Sequence, residues 1–147
     1  MQMRNLIKEK IAANGYAVGA FVASSSATNC EILAMNGYDF AIIDCEHAQT
    51  DSETAVNMFR ACEMYGMAPM VRVYNPYDGP MMSRLLDVGA HGIMVPLVND
   101  GAQAKNIVDS TKYAPVGRRG ANGGRGPRWG AYDDYVKVCN DNTLTFV

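Results

Sequence analysis

Phe40-Ala41-Ile42-Ile43-Asp44-Cys45-Glu46-His47-Ala48-Gln49-Thr50-Asp51 sets a short apolar run directly against a cluster of ionisable side chains. Phe40 to Ile43 is β-type and apolar enough for a buried strand, and it stops at Asp44, Glu46 and His47. In a parallel α/β protein the loops after the strands' carboxyl ends open onto one face, where ligands and chemistry are expected. Two acids and an imidazole at one strand end therefore mark a candidate site.

Similar apolar runs recur at Ala17 to Ala23, Pro69 to Val73, Gly92 to Leu97 and Leu144 to Val147. Segments with helical spacing lie between them. Met1 to Ala13 reads as an amphipathic opening helix. Glu31 to Met35 follows, capped by Thr28 or Asn29 and stopped by Gly37. From Ser52, the residues Ala55, Val56, Met58, Phe59 and Cys62 repeat at three and four, between a cap at Asp51 or Ser52 and a stop at Gly66. Asp78, Gly79 and Pro80 open a helix with Met81, Leu85 and Val88 on one side and Gly89 at its end. Asp100 to Thr111 supplies another, with Ala104, Ile107 and Val108 inward. Strand and helix alternate, and strands this apolar are covered on both faces, so the expected fold is α/β with a parallel sheet. A doubly wound sheet and a (β/α)8 barrel both fit. No G-x-G-x-x-G follows the first strand, which disfavours a dinucleotide-binding sheet.

The 147 residues are 48% hydrophobic and 19% charged, with a formal net charge of -2 and a sequence pI near 5.6. That is enough for one domain with a core, and it offers no basic field for nucleic acid or an anionic membrane. No apolar run is long enough to span a bilayer. Cys30, Cys45, Cys62 and Cys139 show no CxxC spacing and read as free buried thiols of a cytoplasmic protein.

Composition shifts once, from Tyr113 to Tyr132. Arg118, Arg119, Arg125 and Arg128 stand among glycines beside Trp129, the one tryptophan, with no acid until Asp133. Such a loop either brings guanidinium groups to a carboxylate or phosphate, or is a surface excursion or oligomer contact. An RGG-type nucleic-acid segment does not suit the acidic remainder.

His47 can hold or pass a proton near neutral pH, and the acids beside it favour a functional role over that of a surface histidine. Asp44 and Glu46 share a face by alternation and could accept hydrogen bonds from water on a bound cation, or Asp44 could merely cap the next turn. Arg72 ends the third apolar run, where an unpaired buried guanidinium is costly, so it points at an anion or escapes to solvent. Neighbouring parallel strands end on one face, so Arg72 and the 44–47 cluster should converge. Acid, base and fixed cation together suit chemistry through an enolate. His91 precedes a strand at the opposite face and reads as structural, while Met81, Met82 and Met94 read as core.

Asp44-Cys-Glu46-His47, Val71-Arg72-Val73, Leu85-Leu86-Asp87-Val88-Gly89-Ala90-His91-Gly92-Ile93-Met94-Val95-Pro96 and Tyr113-Ala-Pro-Val-Gly-Arg-Arg-Gly120 resemble, in order, the signatures of the class II pyruvate-dependent aldolases of the hydroxyheptenedioate and 2-keto-3-deoxyglucarate type. The resemblance implies a (β/α)8 TIM-type barrel, represented here by about four βα units and the start of a fifth strand. Residues 1–147 would be the amino-terminal part of a single domain. The implied reaction is reversible cleavage of a 4-hydroxy-2-oxo acid to pyruvate and an aldehyde, with Mg2+, Mn2+ or Co2+ as Lewis acid. His47 falls on the base, Arg72 on the residue that stabilises the enolate, and Asp87 on the acid that raises the histidine's basicity. Asp44 and Glu46 would hold metal-bound waters. The direct metal ligands, a glutamate in a Gln-x-Glu segment and a later aspartate, are expected beyond Val147, so this chain alone is expected to be inactive. Relatives of this type are commonly homo-oligomers, often hexamers. Two other readings remain open: a superfamily lyase acting on a CoA ester, whose phosphates the arginine-rich loop would serve, and a non-catalytic assembly or binding module.

Overall fold

A computed structural model describes residues 3–147, so the first two residues of the expected opening helix lie outside the described residues. The elements run α1 (Leu6–Asn14), β1 (Gly19–Val22), α2 (Ala27–Met35), β2 (Phe40–Asp44), α3 (Ser52–Met64), β3 (Ala68–Arg72), α4 (Gly79–Asp87), β4 (Gly92–Met94), α5 (Gly101–Thr111), a 3-10 turn (Arg128–Gly130), α6 (Tyr135–Asn142) and β5 (Leu144–Phe146). The five strands form one sheet in the order β1-β2-β3-β4-β5, every pair parallel. A doubly wound sheet reverses its strand order at a switch point. This one does not, and four βα units plus a fifth strand are what the barrel reading expects.

Strand alternation gives the sheet two apolar faces. On the outer face Ala41, Ile43, Val71, Val73, Ile93 and Val95 pack with Cys30, Phe59, Met82, Leu85, Leu86 and Ile107 of the helices, forming the main core. On the inner face Ile42, Ala68 and Met70 form a second cluster with Ile7 of α1, joined at its margin by Leu6, Phe40, Met94 and Leu144. Gly92 makes room there. A Cβ on it would stand 2.6 Å from Met70 Sδ and Cε and 2.7 Å from the Leu144 carbonyl oxygen.

Side-chain caps begin each sheet-covering helix just past a strand end: Ser26 for α2, Asp51 for α3, Asp78 for α4 and Asp100 for α5. The Ser26 cap starts α2 four residues earlier than the expected Glu31. β4 is shorter than the run Gly92 to Leu97 suggested, because Pro96 lacks the ladder N–H and Leu97 turns to φ 61°. Part of the expected Arg/Gly loop is ordered as the 3-10 turn, and α6, absent from the sequence reading, follows it. Among the described residues no helix is long and apolar enough to cross a membrane. All four cysteines are free and buried.

Candidate active site at the strand ends

The register of β2 against β3 places Asp44 opposite Arg72. Arg72 donates from Nε to Asp44 Oδ1 at 3.0 Å and from Nη2 to Oδ2 at 2.8 Å, the paired geometry that planar guanidinium and carboxylate groups favour. The backbone N–H groups of Glu46 and His47 also donate to Asp44 Oδ1, at 2.9 and 3.3 Å. These bonds curl the β2–α3 loop over the strand end. The Arg72 bond holds the Asp44 carboxyl below its ordinary value of 3.8, against the opposing effect of burial. In turn, the Asp44 bond raises Arg72.

Two further groups stand against the guanidinium, with His47 beyond one of them. Glu46 Oε2 stands 3.2 Å from Nη1. The Phe21 ring lies against it from β1, its centroid 4.9 Å from Cζ, an attractive arrangement for a cation. His47 Nε2 is 3.7 Å from Glu46 Oε1, and its ring is 70% exposed at the mouth. Of the guanidinium's five N–H donors, two have no carboxylate partner among the described residues. Sequence reasoning missed Phe21, because only the β1–β2 register brings that ring to Arg72.

Asp87 does not join this group. It ends α4, at the opposite end of the sheet, where Arg119 donates to its Oδ1 from Nη2 at 2.7 Å and from Nε at 3.3 Å. The carboxylate is 30% exposed while the Arg119 side chain is fully buried. Within one chain the carboxylate beside His47 is Glu46.

The arginine-rich loop also lies at that far end, because α5 carries the chain back to the strands' amino ends and β5 starts from there. Its guanidinium groups meet carboxylates of their own chain. Arg118 pairs with Asp109 at 3.0 Å. Arg125 Nη2 and Arg128 Nη2 each donate to Glu63 Oε2 at 2.8 Å, and Arg125 Nη1 donates to the Val88 carbonyl at 2.9 Å. Serving CoA phosphates is therefore not a role this geometry favours. Glu63, which sequence reasoning did not single out, is the anchor. His91 lies 3.9 Å from Glu63, and burial lowers its pKa below 6.5.

The donor set does not by itself suit a divalent cation. Among the described residues no three His, Cys, Asp or Glu side chains converge as a metal would need, and the acids at the mouth already face the Arg72 cation.

An open parallel α/β sheet wound in barrel order, with an acid-clamped arginine and a histidine at its carboxyl mouth, defines a barrel-type α/β domain. Residues 17–142 match the HpcH/HpaI aldolase/citrate lyase family, and the chain belongs to it. It is 32% identical over 149 residues to the 2-keto-3-deoxy-L-rhamnonate aldolases of Escherichia coli O9:H4 (strain HS) and Escherichia coli O157:H7, covering 99% of this chain and 55% of theirs. Among solved structures, the HpcH/HpaI aldolase from Desulfitobacterium hafniense DCB-2 superposes with a TM-score of 0.87 at 28% identity, over 97% of this chain and 55% of that one. The citrate synthase SbnG gives 0.80 at 32% identity, over 95% and 54%. The chain spans about half the length of the curated relatives it matches.

Proposed function

We propose that this chain carries the base and the oxyanion-binding cation of a pyruvate-dependent aldolase site, and that residues 1–147 are the amino-terminal part of one barrel domain. The supporting observation is the Asp44–Arg72 clamp with Glu46 and His47 at one strand mouth. His47, acting through a water, takes the proton from the C4 hydroxyl of a 4-hydroxy-2-oxo acid. The C3–C4 bond then breaks, the aldehyde leaves, and the electron pair passes into the enolate of pyruvate. Arg72, aimed by Asp44 and Phe21, presents its two unengaged N–H groups to the developing enolate oxygen, where fixed donors are worth most. Reprotonation at C3 yields pyruvate.

Mg2+, Mn2+ or Co2+, implied by the resemblance, would supply Lewis-acid activation of the 2-oxo acid. The described residues offer it no coordination set, and the resemblance places its ligands outside these 147 residues. The resemblance gives Asp44 and Glu46 the role of holding its waters, and of the two Glu46 is the more open, since Asp44 is buried and already accepts from Arg72 and from two backbone N–H groups. Asp87 can serve a histidine only in another copy of the chain, as a homo-oligomer would allow. Free buried thiols suit the cytoplasm.

The test is a fusion of residues 1–147 to the carboxyl-terminal part of the Escherichia coli aldolase, assayed with Mn2+ for pyruvate release and for exchange of the pyruvate methyl protons. His47→Ala and Arg72→Ala should each abolish exchange. Exchange unchanged in both removes the assigned roles. Pyruvate release by residues 1–147 alone, at the rate of a full-length relative, removes the reading of this chain as part of a site.

A further inference from the structure

Leu97, in the loop that follows β4, has φ 61°, a left-handed conformation that is costly for a residue with a Cβ. Its side chain is 68% exposed, so burial does not offset that cost. The chain on either side holds it there. Val95 is buried and Val98 packs against the main core, while Asn99 Nδ2 donates to the Leu97 carbonyl oxygen at 2.8 Å. The Asn99 N–H donates to Gln103 Oε1 at 2.7 Å, and Gln103 Nε2 donates to the Tyr77 hydroxyl at 2.7 Å. Two loops of the carboxyl mouth are thereby tied together beside one outward leucine. An apolar side chain kept in water by a strained backbone at a strand mouth points to a ligand contact rather than to packing.

The surroundings define the chemistry of that ligand. Met94 is in register with Arg72, and Phe146 with Met94, so these side chains share the inner face of the sheet. Met94 is half-buried and Phe146 is 42% exposed. Leu97 follows Met94 by three residues, and Phe21 lies on the Arg72 guanidinium from the other side. Charge at this mouth is one-sided. The strand ends and loops at 23–26, 44–51, 72–78 and 94–100 carry Asp44, Glu46, Asp51, Asp78 and Asp100, and Arg72 as their one fixed cation. That cation faces Asp44 and Glu46, and its remaining N–H groups are assigned above to the enolate oxygen. A second carboxylate, at the distal end of the substrate, would meet acids and no cation, whereas an alkyl end would meet apolar side chains.

We propose that Leu97 is a specificity-determining residue, the apolar contact for the aldehyde half of the substrate, and that the aldehyde released is uncharged and ends in an alkyl group. This role rests on the aldolase reading above. It sets the chain apart from the heptenedioate and glucarate types of the resemblance, which are diacids.

The full 147-residue chain, fused as above and supplied with Mn2+, should add pyruvate to butanal with a kcat/KM at least about tenfold above that for succinic semialdehyde, an aldehyde of equal length ending in a carboxylate. Leu97→Asn, which tolerates positive φ, should lower that preference about tenfold, and Leu97→Met should retain it. Urea melts of the unfused chain should give Leu97→Asn a midpoint equal to or above that of the parent. Leu97→Gly, which also accepts positive φ, takes its place if the asparagine variant fails to fold. A parent fusion that prefers succinic semialdehyde, a preference untouched by Leu97→Asn, or a lowered midpoint each overturns the role of Leu97, while exchange of the pyruvate methyl protons by the same parent fusion still upholds the aldolase reading. A parent fusion without that exchange removes the aldolase reading and the role of Leu97 with it.

Discussion

Asp44 and Arg72 stand opposite each other in adjacent parallel strands, and the carboxylate takes the guanidinium on both oxygens, at 3.0 and 2.8 Å. Asp44 is 2% exposed. Arg72→Ala therefore leaves a buried carboxylate without its counter-ion and should lower the unfolding free energy by about 3 kcal/mol. Asp44→Asn, which strands a guanidinium with better access to water, should cost less, about 1–2 kcal/mol. Urea melts at neutral pH decide the order, and an equal or reversed ranking refutes it.

The same pair sets an acid limit. The unfolded chain protonates Asp44 near the ordinary 3.8, whereas the folded chain does so only at lower pH. The contribution is complete above 3.8 and disappears as pH falls through the depressed folded value. In Asp44→Asn the loss of stability across that interval should be smaller than in the parent chain, measured by urea midpoint against pH.

His91 adds a second acid-sensitive step at higher pH. Burial lowers its pKa, Glu63 acts in the raising direction, and Arg128 and Arg125 lower it further. Below 6.5 the unfolded chain binds a proton here that the folded chain refuses, so stability is complete above 6.5 and falls as pH drops beneath it. Its Nδ1 is buried without a partner among the described residues. His91→Phe should flatten the decline just below pH 6.5, and an unaltered slope would assign that decline to other groups.

Glu63 receives two guanidinium groups from a loop more than sixty residues away, Arg125 at 2.8 Å and Arg128 at 2.8 Å. Glu63→Ala leaves the Arg125 side chain, 8% exposed, without its carboxylate. The expected cost is about 3 kcal/mol, with faster amide exchange through residues 124–130 than through β2. Uniform protection across both segments would show that the loop is held by other contacts.

Gly92 admits the Met70 side chain across β4. Gly92→Val should cost about 1–3 kcal/mol through the displaced methionine and the Leu144 carbonyl beneath it. A thermal midpoint equal to that of the parent chain would mean the sheet yields at no cost.

Local chemistry made much of this legible. Each of the first four strands is an apolar run broken by a polar residue or a proline. Each of the first four helices ends where glycine takes positive φ or the chain turns toward the next strand, as at Gly37, Gly66 and Gly89. The convergence of Asp44 and Arg72 followed from parallel strands ending on one face. α6 was hidden because its eight residues lie beside a glycine-rich stretch and bury little beyond Tyr135 and Cys139.

By itself the sequence determined the alternation of strands and helices, the family, and the residues at the β2 and β3 ends, because those depend on short-range periodicity and on residue type. Tertiary structure decided which charges meet. It put Phe21 under Arg72, gave Asp87 to Arg119 rather than to His47, and tied the loop arginines to Glu63. These pairings join residues far apart in the chain, and strand register and helix packing alone set their distances.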